Sequence, residues 1–157
     1  MPELRDMTGR VGVLFEEACT AALLPLPARG CLNLLEELLC EADRLCCEGL
    51  VPMAPVSLTL ALVTDRESAA LNLQALRCPG PTNILSFPGA PGEGAQLALA
   101  CETLARESQL YGQKPLDYLI RLLAHGTAHV CGLDHGSEME AAQERLEAAA
   151  RACLAQI

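Results

Sequence analysis

All three histidines of this 157-residue chain fall in one run, HGTAHVCGLDH, from residue 125 to residue 135. Three residues separate His125 from His129, and five separate His129 from His135. Imidazole is the usual nitrogen ligand of a transition metal, and three imidazoles leave a tetrahedral ion one open, reactive position. On an α-helix, residues i and i+4 share a face and lie about 6 Å apart along the axis. His125 and His129 would then reach the same ion. Gly132 stands where a helix C-terminus calls for a residue with positive φ. The chain can turn there and return His135 as a third ligand. The spacing predicts one zinc ion held by His125, His129 and His135, with the pKa of a coordinated water lowered to about 7.

The same ligand spacing occurs in the HExxHxxGxxH metalloproteases, whose glutamate is the general base. Gly126 occupies that place here, so the protease base is missing. Cys131 lies between two of the histidines but reads as packing at the helix end, because three imidazoles and a water already complete a catalytic zinc. Asp134 adjoins His135 and would either orient an imidazole or hold the turn.

Upstream, residues 81–88 read PTNILSFP, a short strand pattern bounded by prolines, and Leu71-Asn72 precede it near the end of a helical stretch. Leu-Asn, then PTNILSFP, then HGxxHxxGxDH resembles the YbeY family over roughly residues 56 to 150. The resemblance implies a zincin-like α+β fold, a mixed sheet of about four strands packed with helices, and a central metal-ligand helix. It implies a zinc-dependent, single-strand-specific endoribonuclease acting in rRNA maturation, at the 3′ end of the small-subunit species, and in ribosome quality control. The implied partners are ribosomal RNA and small-subunit proteins, with neither DNA nor membrane. This copy departs from the family pattern at Ala75 and Leu76, where the family has a tyrosine-arginine pair. It departs again at Ala95-Gln96-Leu97 and at Arg121, where another histidine is common. Arg77 lies nearest to the family's arginine and is the candidate catalytic contact to phosphate.

The rest of the sequence supplies elements to hold these residues. Residues 11–15 suggest a first strand, and apolar residues from Cys31 to Cys47 recur at helical spacing with Glu36, Glu37, Glu41 and Asp43 on the other face. Val56 to Val63 reads as a strand. Thr64 to Glu67 is a capping box opening a helix to about Ala75. Residues 82–87 and 95–100 read as a hairpin across a Gly/Pro turn, followed by a helix over 101–110. Pro115 suits the first position of the ligand helix, which runs to about Val130. Ser137 to Glu140 reads as a second capping box. The apolar line of the last helix is Met139, Ala142, Leu146, Ala149 and Cys153.

Composition predicts one cytoplasmic domain over residues 1–157. Glu3 and Asp6 and the lack of an apolar stretch beside them predict no secretory leader. Nine cysteines without a CxxC pair predict reduced, mostly buried thiols, with Cys19 among those placed on helices. The net charge of −9 and four aromatic residues are an unusual basis for RNA binding. Either a local pair such as Arg77 and Arg121 meets the phosphates, or a ribosomal partner supplies affinity. Two other readings stay open here: a small metalloprotease, and a non-catalytic ribosome-assembly factor that keeps zinc for structure.

Overall fold

The computed structural model describes residues 4–15, 22–90 and 92–155. Cys19, placed on a helix by the sequence reading, lies outside the described residues. In chain order the elements are β1 (Leu4–Thr8), β2 (Val11–Phe15), α1 (Ala28–Cys47), β3 (Leu58–Val63), α2 (Asp65–Leu76), β4 (Ile84–Phe87), β5 (Ala95–Ala100), α3 (Cys101–Leu110), α4 (Pro115–Val130) and α5 (Ser137–Leu154). The expected α+β class and mixed sheet are observed. The sheet has five strands in the order β1-β2-β3-β5-β4. The strand beyond the expected set is β1, antiparallel to β2 at one edge. β2 runs parallel to β3 and β3 to β5, while β4 closes the other edge antiparallel to β5.

Strand periodicity divides the side chains between the two faces. Leu58, Leu60 and Leu62 of β3 and Leu97 and Leu99 of β5 enter one large core with α1, α4 and α5. Val63, Ala98 and Ala100 point the other way, into a small cluster with Leu85 that Leu71 of α2 covers. β4 is only four residues long and is followed by Pro88, which blunts an edge that would otherwise invite another strand. Thr82 and Asn83, expected within that strand, bond to side chains as well, while the Asn83 carbonyl still accepts the Ala100 N–H at 2.9 Å. The Thr82 N–H donates to the Ser68 hydroxyl at 3.1 Å, and the Asn83 side-chain oxygen accepts the Ile84 N–H at 2.7 Å.

α4 is the centre of the molecule. It packs against β4, β5, α1, α3 and α5. Ten of its 16 residues are buried, more than a single apolar stripe would give. Pro115 sits at its first position as expected, with Lys114 as the N-cap. The capping box at Thr64 is also present, with Thr64 accepting from the Glu67 N–H and the Glu67 carboxylate returning to the Thr64 N–H.

Two local expectations are corrected. The second capping box does not form: Gly136 is the N-cap, no side chain caps the helix, and Ser137 is already helical. Gly136, at φ 152° in a range that favours glycine, takes the position that the box assigned to serine. The apolar line of α5 continues through Ala150 rather than Ala149, because burial at Met139, Ala142, Leu146 and Ala150 keeps a 3.6-residue period. The acidic face of α1 is not wholly solvated either. Glu41 is buried, where Arg145 of α5 donates to it at 2.6 Å and Arg44 at 2.7 Å. An ion pair thus ties α5 onto α1 beside the core.

Leu123 is fully buried on α4 within the large core. Leu123→Ala is expected to cost about 2–5 kcal/mol through lost transfer energy and a residual cavity. A denaturant midpoint shift with unchanged m-value checks this.

Candidate metal centre

The backbone at the end of α4 brings the three histidines together. His125 and His129 stand one turn apart and half-buried. After Val130 the helix closes in a Schellman turn: Gly132 N–H donates to the His129 carbonyl at 3.0 Å, and Leu133 N–H to the Ala128 carbonyl at 3.3 Å. Gly132 carries φ +94°, open to glycine at little cost, as the sequence reading required. The reversed chain presents His135 to the other two. Ring centroids lie 4.7, 5.5 and 5.1 Å apart, and one ligand atom from each residue lies within 4.8 Å of the others.

Each helical histidine is oriented by a partner on its Nδ1. Nδ1 of His129 lies 3.0 Å from the Leu133 carbonyl oxygen, an acceptor delivered by the same Schellman turn. Nδ1 of His125 lies 3.0 Å from Oε1 of Gln143 on α5. Both contacts place the ring proton on Nδ1 and leave Nε2 as the lone pair for a metal. Burial, and next the neighbouring His125, hold the His129 pKa below its ordinary value, which favours the neutral, metal-binding imidazole.

The donor set fits zinc. Three neutral imidazoles with no thiolate suit a borderline ion with an open position. Tetrahedral nitrogens at 2.0–2.1 Å from an ion would stand about 3.4 Å apart. His135, the exposed member, has the rotamer freedom to close that difference. Cys131 is not part of the cluster. It is fully buried in the core, and burial pushes its thiol up to about 12.

Gly126 explains how the ligand helix lies so close to the sheet. A Cβ there would stand 2.9 Å from Leu97 Cδ2, 3.1 Å from Ile84 Cδ1 and 3.2 Å from Ser86 Oγ. The Ser86 hydroxyl donates to the Gly126 carbonyl at 3.2 Å, which joins β4 to α4 directly behind the ligands. The place of the protease glutamate is therefore packed against the sheet.

A cavity of about 690 Å³ opens over the histidines. Its walls include β4 residues such as Ile84 and Phe87, Leu76 from the end of α2, and Asp134. Asp134 makes no hydrogen bond to a histidine among the described residues, and the orienting partners are instead Gln143 and the Leu133 carbonyl. Arg77 does not line this cavity. It is the exposed C-cap of α2 in a left-handed conformation, φ 56°, the one positive-φ non-glycine among the described residues. Its predecessor Leu76 reaches the cavity wall, so Arg77 stands beside the rim.

Sequence reasoning missed the residues that brace the site. Asn72, noticed only as part of a motif, donates through its side-chain amide to the Gly80 carbonyl at 3.0 Å. Ser68 donates to the Thr82 carbonyl at 2.8 Å. These bonds fix the 77–83 loop leading into β4. Gln143 carried no signal in the sequence, since a polar residue on an exposed stretch of helix looks like solvated surface. Its role depends on the packing of α5 against α4.

Comparison with known proteins bears on these residues. The family model described as endoribonuclease YbeY matches residues 33–157. The chain is 38% identical over 163 aligned residues to "Endoribonuclease YbeY" of Nitratidesulfovibrio vulgaris, covering 89% of this chain and 95% of that protein. It is 41% identical over 110 residues to the protein of the same name from Oleidesulfovibrio alaskensis, covering 54% of this chain and 65% of that one. The corresponding protein of Lawsonia intracellularis is 45% identical over 80 residues, covering 50% of this chain and 60% of that one. The last two matches thus span less than two thirds of those relatives. In fold, the chain is similar to TM1509 of Thermotoga maritima, known from a solution structure. The TM-score is 0.57 at 18% identity, covering 94% of this chain and 91% of that one.

Two substitutions test the construction of the site. Gly126→Leu is expected to destabilise the protein by about 1–3 kcal/mol through overpacking and to lower its zinc content. Wild-type stability and zinc content would contradict the close approach. Gln143→Leu is expected to weaken zinc binding by about 10–100-fold with little change in melting temperature. A competitive chelator titration reads that change.

Proposed function

This chain belongs to the YbeY family, and on that premise we propose that it is a zinc-dependent endoribonuclease cutting single-stranded RNA in rRNA maturation, at the small-subunit 3′ end, and in ribosome quality control. The observation that carries this reading is the convergence of His125, His129 and His135 in an open cavity with no glutamate beside the first ligand. The reading takes residues 1–157 as one catalytic domain working in the cytoplasm. Small-subunit proteins would contribute affinity that a chain of net charge −9 lacks. No described helix is long and apolar enough to cross a membrane.

His125, His129 and His135 would hold one zinc ion. Bound there, zinc supplies Lewis acidity, lowering the pKa of a coordinated water to about 7 and withdrawing charge from a phosphoryl oxygen. The chain's own residues do the rest. Gln143 and the Leu133 carbonyl keep Nδ1 of His125 and His129 protonated and their rings fixed. Gly126 and Ser86 hold β4 against α4 behind the ligands. Asp134 is the one carboxylate among the described cavity walls, and it would accept the proton of the attacking oxygen. Arg77, at the rim beyond Leu76, would contact a phosphate of the strand as it leaves the cavity.

This set suits a phosphodiester better than a peptide. Peptide hydrolysis at such a motif uses the glutamate to take a proton from water and return it to the departing amine. Gly126 does neither, and its packing admits no acid there. RNA offers an alkoxide leaving group and, in its 2′-hydroxyl, an internal nucleophile.

Zinc-replete protein is expected to cut single-stranded RNA and to leave peptides intact. Chelation or His129→Ala is expected to abolish cleavage, and survival of cleavage in that variant would remove the metal from the mechanism. A replete sample that binds pre-ribosomes yet never cuts RNA would select an assembly role. Arg77→Ala is expected to slow cleavage about tenfold with zinc content unchanged; an unchanged rate would exclude Arg77.

A further inference from the structure

Apart from the histidines, the only ionisable side chain on the described walls of the main cavity is Asp134. An RNA strand brought to the metal needs a positive group nearby, and the large cavity offers none from a lysine or arginine. Five of the ten arginines are already used. Arg10, Arg44, Arg106, Arg145 and Arg151 each pair with an acid.

Arg121 forms no ion pair among the described residues, and it is exposed. It lines a second cavity, of about 410 Å³, on the far side of His125. His125 and Asn83 border both cavities, so the two meet at the metal centre. Arg121 stands one helical turn, about 6 Å, before His125 on α4. The same cavity is lined by Gln113, Gln143 and Tyr111. Tyr111 is 57% exposed, and its ring centroid stands 6.1 Å from that of Tyr118 with the planes at 65°, so more than half of its surface is open to a base.

The carboxylate bonded to two residues of this wall is already engaged. Glu107 accepts from the Tyr118 hydroxyl at 2.8 Å and from the Asn83 amide at 3.0 Å. Burial and the bond to Glu107 push the Tyr118 hydroxyl up to about 12, so it remains a donor. The network holds Asn83 at the boundary between the cavities.

Resting on the endoribonuclease reading, we propose that this second cavity is the subsite for the nucleotide next to the scissile bond of a single-stranded RNA, with Arg121 on its phosphate and Tyr111 on its base. Adjacent nucleotides would occupy separate cavities divided by His125 and Asn83. Their bases must therefore be unstacked from one another, which a duplex does not allow. Strand preference would then follow from the shape of the wall between the cavities.

The test compares wild type, Arg121→Gln, Arg121→Lys and Tyr111→Ala, each zinc-loaded. The probe is a fluorescent single-stranded oligouridylate, followed for binding by anisotropy and for cleavage, across a salt series. Arg121→Gln is expected to raise KM about tenfold and to reduce the salt slope of binding by about 0.7, the value for one phosphate contact on a single strand. Arg121→Lys should keep that slope. Tyr111→Ala should raise KM with no change of slope, because stacking carries no charge. All four proteins should hold the same zinc. If the wild type cuts RNA while Arg121→Gln keeps its KM and slope, the subsite is overturned and the endoribonuclease reading stands. If zinc-loaded wild type neither binds nor cuts the strand, the reading itself fails and the subsite falls with it.

Discussion

The close approach of α4 to the sheet at Gly126 sets the geometry of everything nearby. With no side chain at that position, the helix lies against Leu97 and Ile84, and Ser86 can hydrogen-bond its backbone. A helix buried this deeply would normally be apolar all round. Here the apolar residues Leu119, Leu122, Leu123 and Ala128 fill the core. The only polar edge that α4 turns to the main cavity is that of His125 and His129. The site is rigid because its supporting helix is also the middle of the core.

The third histidine and the ring orientations come from different parts of the chain. The Schellman turn at Gly132 both returns His135 and points the Leu133 carbonyl at His129. Gln143 reaches His125 from α5, which is tied to α1 through Arg145 and Glu41. A change in how α5 packs would therefore reach the metal centre through a single amide. The loop before β4 is held separately, by Ser68 and Asn72 of α2. Two independent supports thus converge on one cavity.

Much of this arrangement was legible in the sequence, for physical reasons. Histidine spacing, Pro115, Gly132 and the Thr64 capping box are local signals, and each formed as read. The hairpin of β4 and β5 was legible because its turn is rich in glycine and proline. What failed was a cap one residue from its expected place and a contact between distant residues. Ser137 looked like a cap, but Gly136 took that place after the turn at His135. Glu41 looked solvated until α5 brought Arg145 to it. Arg77 stands next to a motif in the sequence, and the left-handed turn at the end of α2 sets it beside the rim of the cavity.

The central claim is that three imidazoles, and no sulfur, form an open zinc site at the end of α4. X-ray absorption at the zinc edge of the zinc-loaded protein tests it most directly. The account predicts three nitrogen scatterers with imidazole outer-shell features at about 2.0–2.1 Å, a further oxygen, and nothing at the zinc–sulfur distance of about 2.3 Å. A sulfur ligand, or fewer than three imidazoles, would contradict it.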